Sequence, residues 1–141
     1  MPIERLLRRP VKTLPPDATC QEAAALMRDE NVGAIVVAEE CRPLGVVTDR
    51  DLVVRVVAPG EDAARVRVRD VMTGEPIFVS GERSLEQAIT AMRDLSIRRV
   101  PVVDARGRLR GLVSMDDLLV LLADQFSNLA QTIRKEIAPP V

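Results

Sequence analysis

The sequence predicts a mixed α/β (α+β) fold of two β-α-β-β-α repeats related by pseudo-twofold symmetry, followed by an extended C-terminal helix. Three observations carry this. The chain repeats itself: Gly45-Val46-Val47-Thr48-Asp49-Arg50-Asp51-Leu52 returns as Gly111-Leu112-Val113-Ser114-Met115-Asp116-Asp117-Leu118 at an offset of 66, and Gln21-Glu22-Ala23-Ala24-Ala25-Leu26-Met27-Arg28-Asp29 returns as Glu86-Gln87-Ala88-Ile89-Thr90-Ala91-Met92-Arg93-Asp94 at an offset of 65. Within each copy, one helical periodicity alternates with aliphatic runs too short to be helices. Phe78 and Phe126 are the only aromatic residues, so the core is expected to be aliphatic. A period this long exceeds that of a solenoid repeat, so each copy is a small domain and the pair presents two equivalent clefts.

In the first copy, Pro10-Val11-Lys12-Thr13 reads as a short edge strand. Thr19 with Glu22 three residues later is a capping box, which starts a helix over about 20–30; Asn31 and Gly33 stop it. Ala34-Ile35-Val36-Val37 is a buried strand, Pro43 marks a turn, and Leu44-Gly45-Val46-Val47 is the next strand. A second helix opens at Asp49 and ends near Pro59-Gly60. In the second copy, Pro76-Ile77-Phe78-Val79 is the first strand and Ser84 with Gln87 caps a helix through Leu95. Val100-Pro101-Val102-Val103 and Leu109-Arg110-Gly111-Leu112-Val113 form a hairpin around Arg106-Gly107, and Pro101 suggests an edge position. The expected divisions are 1–60 (first repeat with its lead-in), 61–70 (linker), 71–122 (second repeat) and 123–141 (helical extension and tail).

The last helix departs from the repeat. From Asp116 it can continue to about Glu136, with Leu118, Leu122, Phe126, Leu129, Ile133 and Ile137 spaced by three or four. That stripe either folds back over its own domain or forms a seam with a second subunit. The expected assembly is a homodimer.

With 141 residues the chain can bury one real core, whereas either half alone would be marginal. Its 47% hydrophobic and 29% charged residues are those of a soluble globular protein. A net charge of −1, with basic residues scattered among acidic ones, argues against a nucleic-acid footprint. The near absence of aromatic rings removes the usual stacking platform for single strands. Eighteen of the 20 basic residues are arginine, which reads first as compositional bias and second as phosphate recognition. Cys20 and Cys41 are isolated and histidine is absent, so neither a zinc site nor a thiol–imidazole nucleophile is expected. The start Met1-Pro2-Ile3-Glu4-Arg5 has no apolar run after it, and no stretch approaches a membrane span. A cytoplasmic protein, with no membrane partner, is the expectation.

The repeated strand, Thr48-x-x-Asp51 or Ser114-x-x-Asp117, helix element has two readings. A hydroxyl followed three residues later by an acid is close to a capping box and needs no ligand. Alternatively, the helix N-terminus and its hydroxyl take a phosphate, and the carboxylate one turn in takes the two hydroxyls of a ribose.

These motifs resemble a known family. Met27 and Met92, Arg98-Arg99-Val100-Pro101-Val102-Val103, Val71-Met72-Thr73 with Pro76, and the two G-h-h-[ST]-x-x-D endings make 11–122 similar to a tandem pair of cystathionine-β-synthase (CBS) domains, the Bateman module. The resemblance implies repeats packed sheet to sheet, with two clefts for AMP, ADP, ATP or another adenosyl ligand such as S-adenosylmethionine or NAD, the need for Mg²⁺ being open. It places Thr48 and Ser114 on phosphate and Asp51 and Asp117 on ribose. Val11, Thr13, Ala34, Ile35, Ile77, Val79, Val100 and neighbouring Pro101 would hold adenine. Arg99 would strengthen a phosphate contact and Arg50 reach a second phosphate, each weighed against an ordinary solvated charge. The clefts are expected to be chemically unequal, since Gly33-Ala34-Ile35 faces Arg98-Arg99-Val100 in the alignment. The implied function is a stand-alone, non-catalytic sensor of adenine nucleotides acting on an unidentified effector protein, with no required cofactor. The rival is a structural or dimerisation module with empty clefts.

Overall fold

The computed structural model describes residues 3–7, 11–74, 78–79 and 83–137, with residues 5, 78, 79 and 137 described by their backbone alone. The first repeat comprises β1 (Thr13–Leu14), α1 (Cys20–Glu30), β2 (Ala34–Glu39), β3 (Arg42–Thr48) and α2 (Asp49–Leu52). Capping chemistry starts α1: the Thr19 hydroxyl accepts the Glu22 N–H at 3.1 Å, and the Glu22 carboxylate accepts the Thr19 N–H at 3.3 Å. Asn31, in the left-handed region at φ 53°, ends it. α2 runs on into a π-helical turn, Val53–Val57. The second repeat has the same order: β5 (Phe78–Val79), α4 (Ser84–Leu95), β6 (Arg99–Val103), β7 (Leu109–Ser114) and α5 (Met115–Ile137). Of the expected strand 76–79, residues 76 and 77 lie outside the described residues.

Each repeat builds its own sheet. β1 lies parallel to β2, and β2 antiparallel to β3; β5, β6 and β7 repeat that arrangement. Side chains alternate along the strands, so one face meets the helices and the other meets a second layer. Ile35, Val37 and Val47 join Cys20, Ala23 and Met27 in one core, while Val100, Val102 and Val113 join Met92 and Leu118 in the other. On the opposite faces, Val36, Val46, Pro101 and Val103 are buried as well. Both faces being covered explains the unbroken aliphatic runs. The Leu109 N–H donates to the Cys41 carbonyl at 2.7 Å, tying one repeat to the other.

The stretch 61–70, expected to be a connector, also packs against the first core. The Cys20 N–H donates to the Val66 carbonyl and the Gln21 N–H to the Ala63 carbonyl, which satisfies donors the first turn of α1 leaves unpaired. Residues Val68–Val71 form α3, with Val68 and Val71 buried in the first core. Thr73–Gly74 (β4) then pairs antiparallel with β3. This close approach needs Gly45, where a Cβ would lie 2.7 Å from the Thr73 carbonyl oxygen. Sixty-five residues earlier the chain makes the matching move. The 3-10 turn Glu4–Leu6 places Ile3, Leu6 and Leu7 in the second core. Each repeat therefore lends its leading segment to the core of the other.

Four expectations are corrected. β1 begins at Thr13 rather than Pro10, and residues 8–10 lie outside the described residues. Pro43 does not mark the turn but lies inside β3; the turn is Glu40-Cys41, both at positive φ (50° and 65°), as a two-residue hairpin loop demands. Ser84 is no cap: Arg83 holds that position, while buried Ser84 accepts the Ile3 N–H at 3.2 Å. Pro101 is not on an edge strand, because β6 is the middle strand of its sheet; the described β5 ladder pairs only Val102 and Val103, so Pro101 is spared a donor it lacks there.

The folded-back reading of the long helix also fails. Among the described side chains of its stripe only Leu118 is buried, at 6% exposure, whereas Leu122, Phe126, Leu129 and Ile133 are 48–71% exposed. The side chain of Ile137 lies outside the described residues.

Candidate functional site

Each β-hairpin delivers its last residue to a helix start. Thr48, at the end of β3, caps α2 and is tied reciprocally to Asp51. The Asp51 N–H donates to the Thr48 hydroxyl oxygen at 3.2 Å, and one Asp51 carboxylate oxygen accepts both the Thr48 N–H at 2.9 Å and the Thr48 hydroxyl at 3.0 Å. Ser114, at the end of β7, stands likewise before α5, its hydroxyl accepting the Asp117 N–H at 3.1 Å. The Asp49 N–H donates to the Gly33 carbonyl at 3.0 Å, and the Met115 N–H to the Arg98 carbonyl at 2.8 Å. The start of each helix is thus pinned to the segment leading into the inner strand of its own sheet. All four residues of the two pairs are half-buried.

The first pair opens onto a cavity of about 560 Å³ between the repeats. Its walls are Thr48, Asp49, Arg50 and Asp51 from the α2 start, Gly45 and Val46 of β3, Thr73 and Gly74 of β4, Leu95-Ser96-Ile97-Arg98-Arg99 and Pro101 from the second repeat, and Asp116 of α5. Its size is that of sites for small organic ligands. Arg98 reaches Asp116 at 3.1 Å across the rim. Both side chains are about two-thirds exposed, so this ion pair contributes only about 0–1 kcal/mol.

Of the residues expected to bind a ligand, the structure brings Thr48, Arg50, Asp51, Arg99 and Pro101 into this cavity. Val11 and Thr13 line a different one, of about 710 Å³, beside the hairpin turn at Glu40-Cys41 and β7 residues Leu109 and Arg110. The side chains of Ile35 and Val100 belong to the two cores, which leaves their backbone to face a ligand. Ala34, at 9% exposure, is buried at the start of β2. Ser114 and Asp117 occupy the equivalent positions of the second repeat, away from the first cavity. Ile77 and the side chain of Val79 lie outside the described residues.

Sequence reasoning missed Asp49, Arg98, Asp116 and the Thr73–Gly74 edge. A signal for Asp116 was present, since the offset of 66 aligns it with Arg50. Among the described residues no group of three or more potential metal ligands comes together, and no helix is long and apolar enough to cross a membrane.

Comparison with known proteins agrees with this architecture. The CBS-domain family pattern matches residues 3–58 and 68–124, two copies covering most of the chain. The CBS domain-containing protein YhcV of Bacillus subtilis is 42% identical over 118 residues, which cover 84% of this chain and 81% of YhcV. Protein MK0525 of Methanopyrus kandleri is 38% identical over 118 residues, 83% of this chain but 60% of that longer protein. The solved structure of CBS domain protein PAE2072 from Pyrobaculum aerophilum, complexed with AMP, superposes with a TM-score of 0.77 at 30% identity, covering 88% of this chain and 99% of that one. The family boundaries at residues 3 and 68 coincide with the two exchanged segments, Ile3 and Val68. This chain belongs to the CBS-domain family and is a tandem CBS pair, a Bateman module.

Proposed function

We propose that the protein is a regulatory module that binds an adenine nucleotide between its repeats and signals energy or metabolite status through a change of shape or of partner. The observation that carries this is the Thr48–Asp51 pair at a helix start, opening onto an inter-repeat cavity of about 560 Å³ with Arg50, Arg98 and Arg99 on its walls. The AMP complex of a protein 30% identical supports the same ligand class. Thr48 and Ser114 contact phosphate, and Asp51 and Asp117 the ribose hydroxyls. The module binds without turnover, functions in the cytoplasm and passes its signal to a partner protein.

The module is a homodimer. The repeat supports this reading: Val53 and Val54 in the first copy match Leu119 and Val120 in the second at an offset of 66, and all four are 50–61% exposed. Equivalent apolar positions left bare on both pseudo-symmetric helices suit a second copy with the same symmetry. On α5 the bare residues Leu119, Leu122, Phe126, Leu129 and Ile133 alternate by three and four, a heptad seam flanked by Ala123, Gln125, Ala130 and Thr132 with no charge to repel its twin.

A second reading, a dimerisation module with empty clefts, is favoured by the reciprocal bonding of Thr48 and Asp51, which already satisfies both groups as a cap. Thermal unfolding in the presence of AMP, ADP, ATP, NAD or S-adenosylmethionine, with and without Mg²⁺, separates the two. At 100 times its dissociation constant a ligand adds about 2.7 kcal/mol of stability. No shift with any of them at millimolar concentration supports the empty-cleft reading.

A further inference from the structure

Resting on the nucleotide reading, we propose that the Thr48–Asp51 cleft discriminates by charge: it takes adenosine 5′-di- and triphosphates in preference to the monophosphate and to cationic adenosyl compounds, with Arg50 and Arg99 reading the phosphate tail. Three arginines and three aspartates line this cavity, so its formal charge balances. The partners of those groups decide what a ligand meets. Asp116 is engaged by Arg98. Asp51 accepts two hydrogen bonds from Thr48, and Asp49 accepts the Arg50 backbone N–H at 2.8 Å. Arg50 and Arg99 form no ion pair among the described residues, although both stand on the cavity wall. Two uncommitted guanidinium groups beside a cap hydroxyl suit a multiply charged phosphate tail, which a planar fork of donors matches bidentately.

Space for one of them is built in. A Cβ on Gly33 would lie 3.1 Å from an Asp49 carboxylate oxygen and 3.7 Å from Nη2 of Arg99. The Arg99 guanidinium therefore stretches from the second repeat to the bare backbone before β2. The internal repeat shows that the two clefts carry different side-chain charge. The offsets of 65 and 66 align Arg50 with Asp116, Arg98 with Gly33 and Arg99 with Ala34. Three cationic positions around Thr48 thus correspond to an acid and two residues without side-chain charge around Ser114. Positions 8 and 9, aligned with Thr73 and Gly74, lie outside the described residues, and the proposal is confined to the first cleft.

Calorimetric titration of the full chain with AMP, ADP and ATP tests this, with Arg50→Gln, Arg99→Gln and Asp51→Ala as variants whose folding is checked by thermal melts. One charge-assisted contact at a half-open site changes affinity by about tenfold. The parent should bind ATP about tenfold or more tighter than AMP, and higher ionic strength should erode that ratio. Arg99→Gln and Arg50→Gln should each shrink the ratio, weakening ATP by more than AMP. Asp51→Ala should weaken all three nucleotides alike. Inorganic tripolyphosphate should compete with ATP in the parent and lose that ability in the arginine variants. Equal affinity for AMP and ATP, or a ratio untouched by both arginine variants, overturns the charge proposal and leaves the nucleotide reading standing. Failure of every nucleotide to bind the folded parent overturns both.

Discussion

α2 and α5 begin as copies and end as different objects. Both follow a Ser/Thr cap with an aspartate three residues on, both send a leucine toward a core (Leu52 and Leu118), and both leave the next two aliphatic side chains bare. α2 then closes with a π turn near Ala58, whereas α5 runs to Ile137 with its apolar seam exposed. The shared first turns do what the fold requires, and among the described residues the added turns of α5 join neither core. In the proposed dimer, that added length is the surface a second copy would cover.

The largest expected effects test that division. Leu118→Ala should cost about 2–5 kcal/mol, as for other buried leucines, and lower the unfolding midpoint in denaturant. Phe126→Ala, at a site 71% exposed, should change the stability of the isolated monomer by no more than about 0.5 kcal/mol. Phe126→Asp should shift the protein toward monomer by about thirtyfold or more in sedimentation equilibrium, the effect of losing a central interface anchor of about 2 kcal/mol. A monomeric parent would return the seam to some other partner.

The two caps give the next comparison. Asp51→Ala and Asp117→Ala should each stay folded, with a cap loss of about 0.5–2 kcal/mol. Each should weaken adenine nucleotide binding by roughly ten- to a hundredfold, one loss per cleft in calorimetric titration. A 2′-deoxyribose ligand should reproduce part of that loss in the parent and almost none in the variants. Parent-like binding by both would reduce these acids to helix caps.

Smaller effects separate the two hairpin turns. The second relaxes its turn with Gly107 at φ 81°, whereas the first forces Glu40 and Cys41 into the left-handed region. Left-handed backbone costs a residue with a side chain about 1–2 kcal/mol, so Glu40→Asn with Cys41→Gly should stabilise the protein by about 1 kcal/mol or more in chemical denaturation. The second turn has a device of its own. The Asp104 carboxylate accepts the N–H groups of Arg106 and Arg108, bonds that hold its pKa below the ordinary carboxylate value. Its folded pKa being lowered, the stability it lends is present above the ordinary range and is lost as pH falls through the lowered value. Asp104→Asn should flatten that part of the acid-unfolding profile.

Much of the molecule was legible along the chain because its information is local. The capping box at Thr19 and Glu22 set the start of α1 at Cys20, and the aliphatic runs marked β2 and β6. The Thr48-x-x-Asp51 spacing located the helix start at which the cleft opens. The misreadings came where distant segments compete for the same groups. Ser84 carries the same capping signal as Thr19, yet the Ile3 N–H, 81 residues away, claims its hydroxyl.

The sequence by itself determined the doubled β-α-β-β-α order, the aliphatic core and the pair of hydroxyl–carboxylate helix starts, since periodicity and capping act over a few residues. Only the tertiary structure decided that 3–7 and 68–74 change places between the cores, that Pro101 lies in a middle strand, and that Arg98, Arg99 and Asp116 meet Thr48 across one cavity. Those are contacts between segments far apart in the chain. Their energy comes from apolar area removed from water and from which donor reaches an acceptor first in space, and neither is written in the spacing of neighbouring residues.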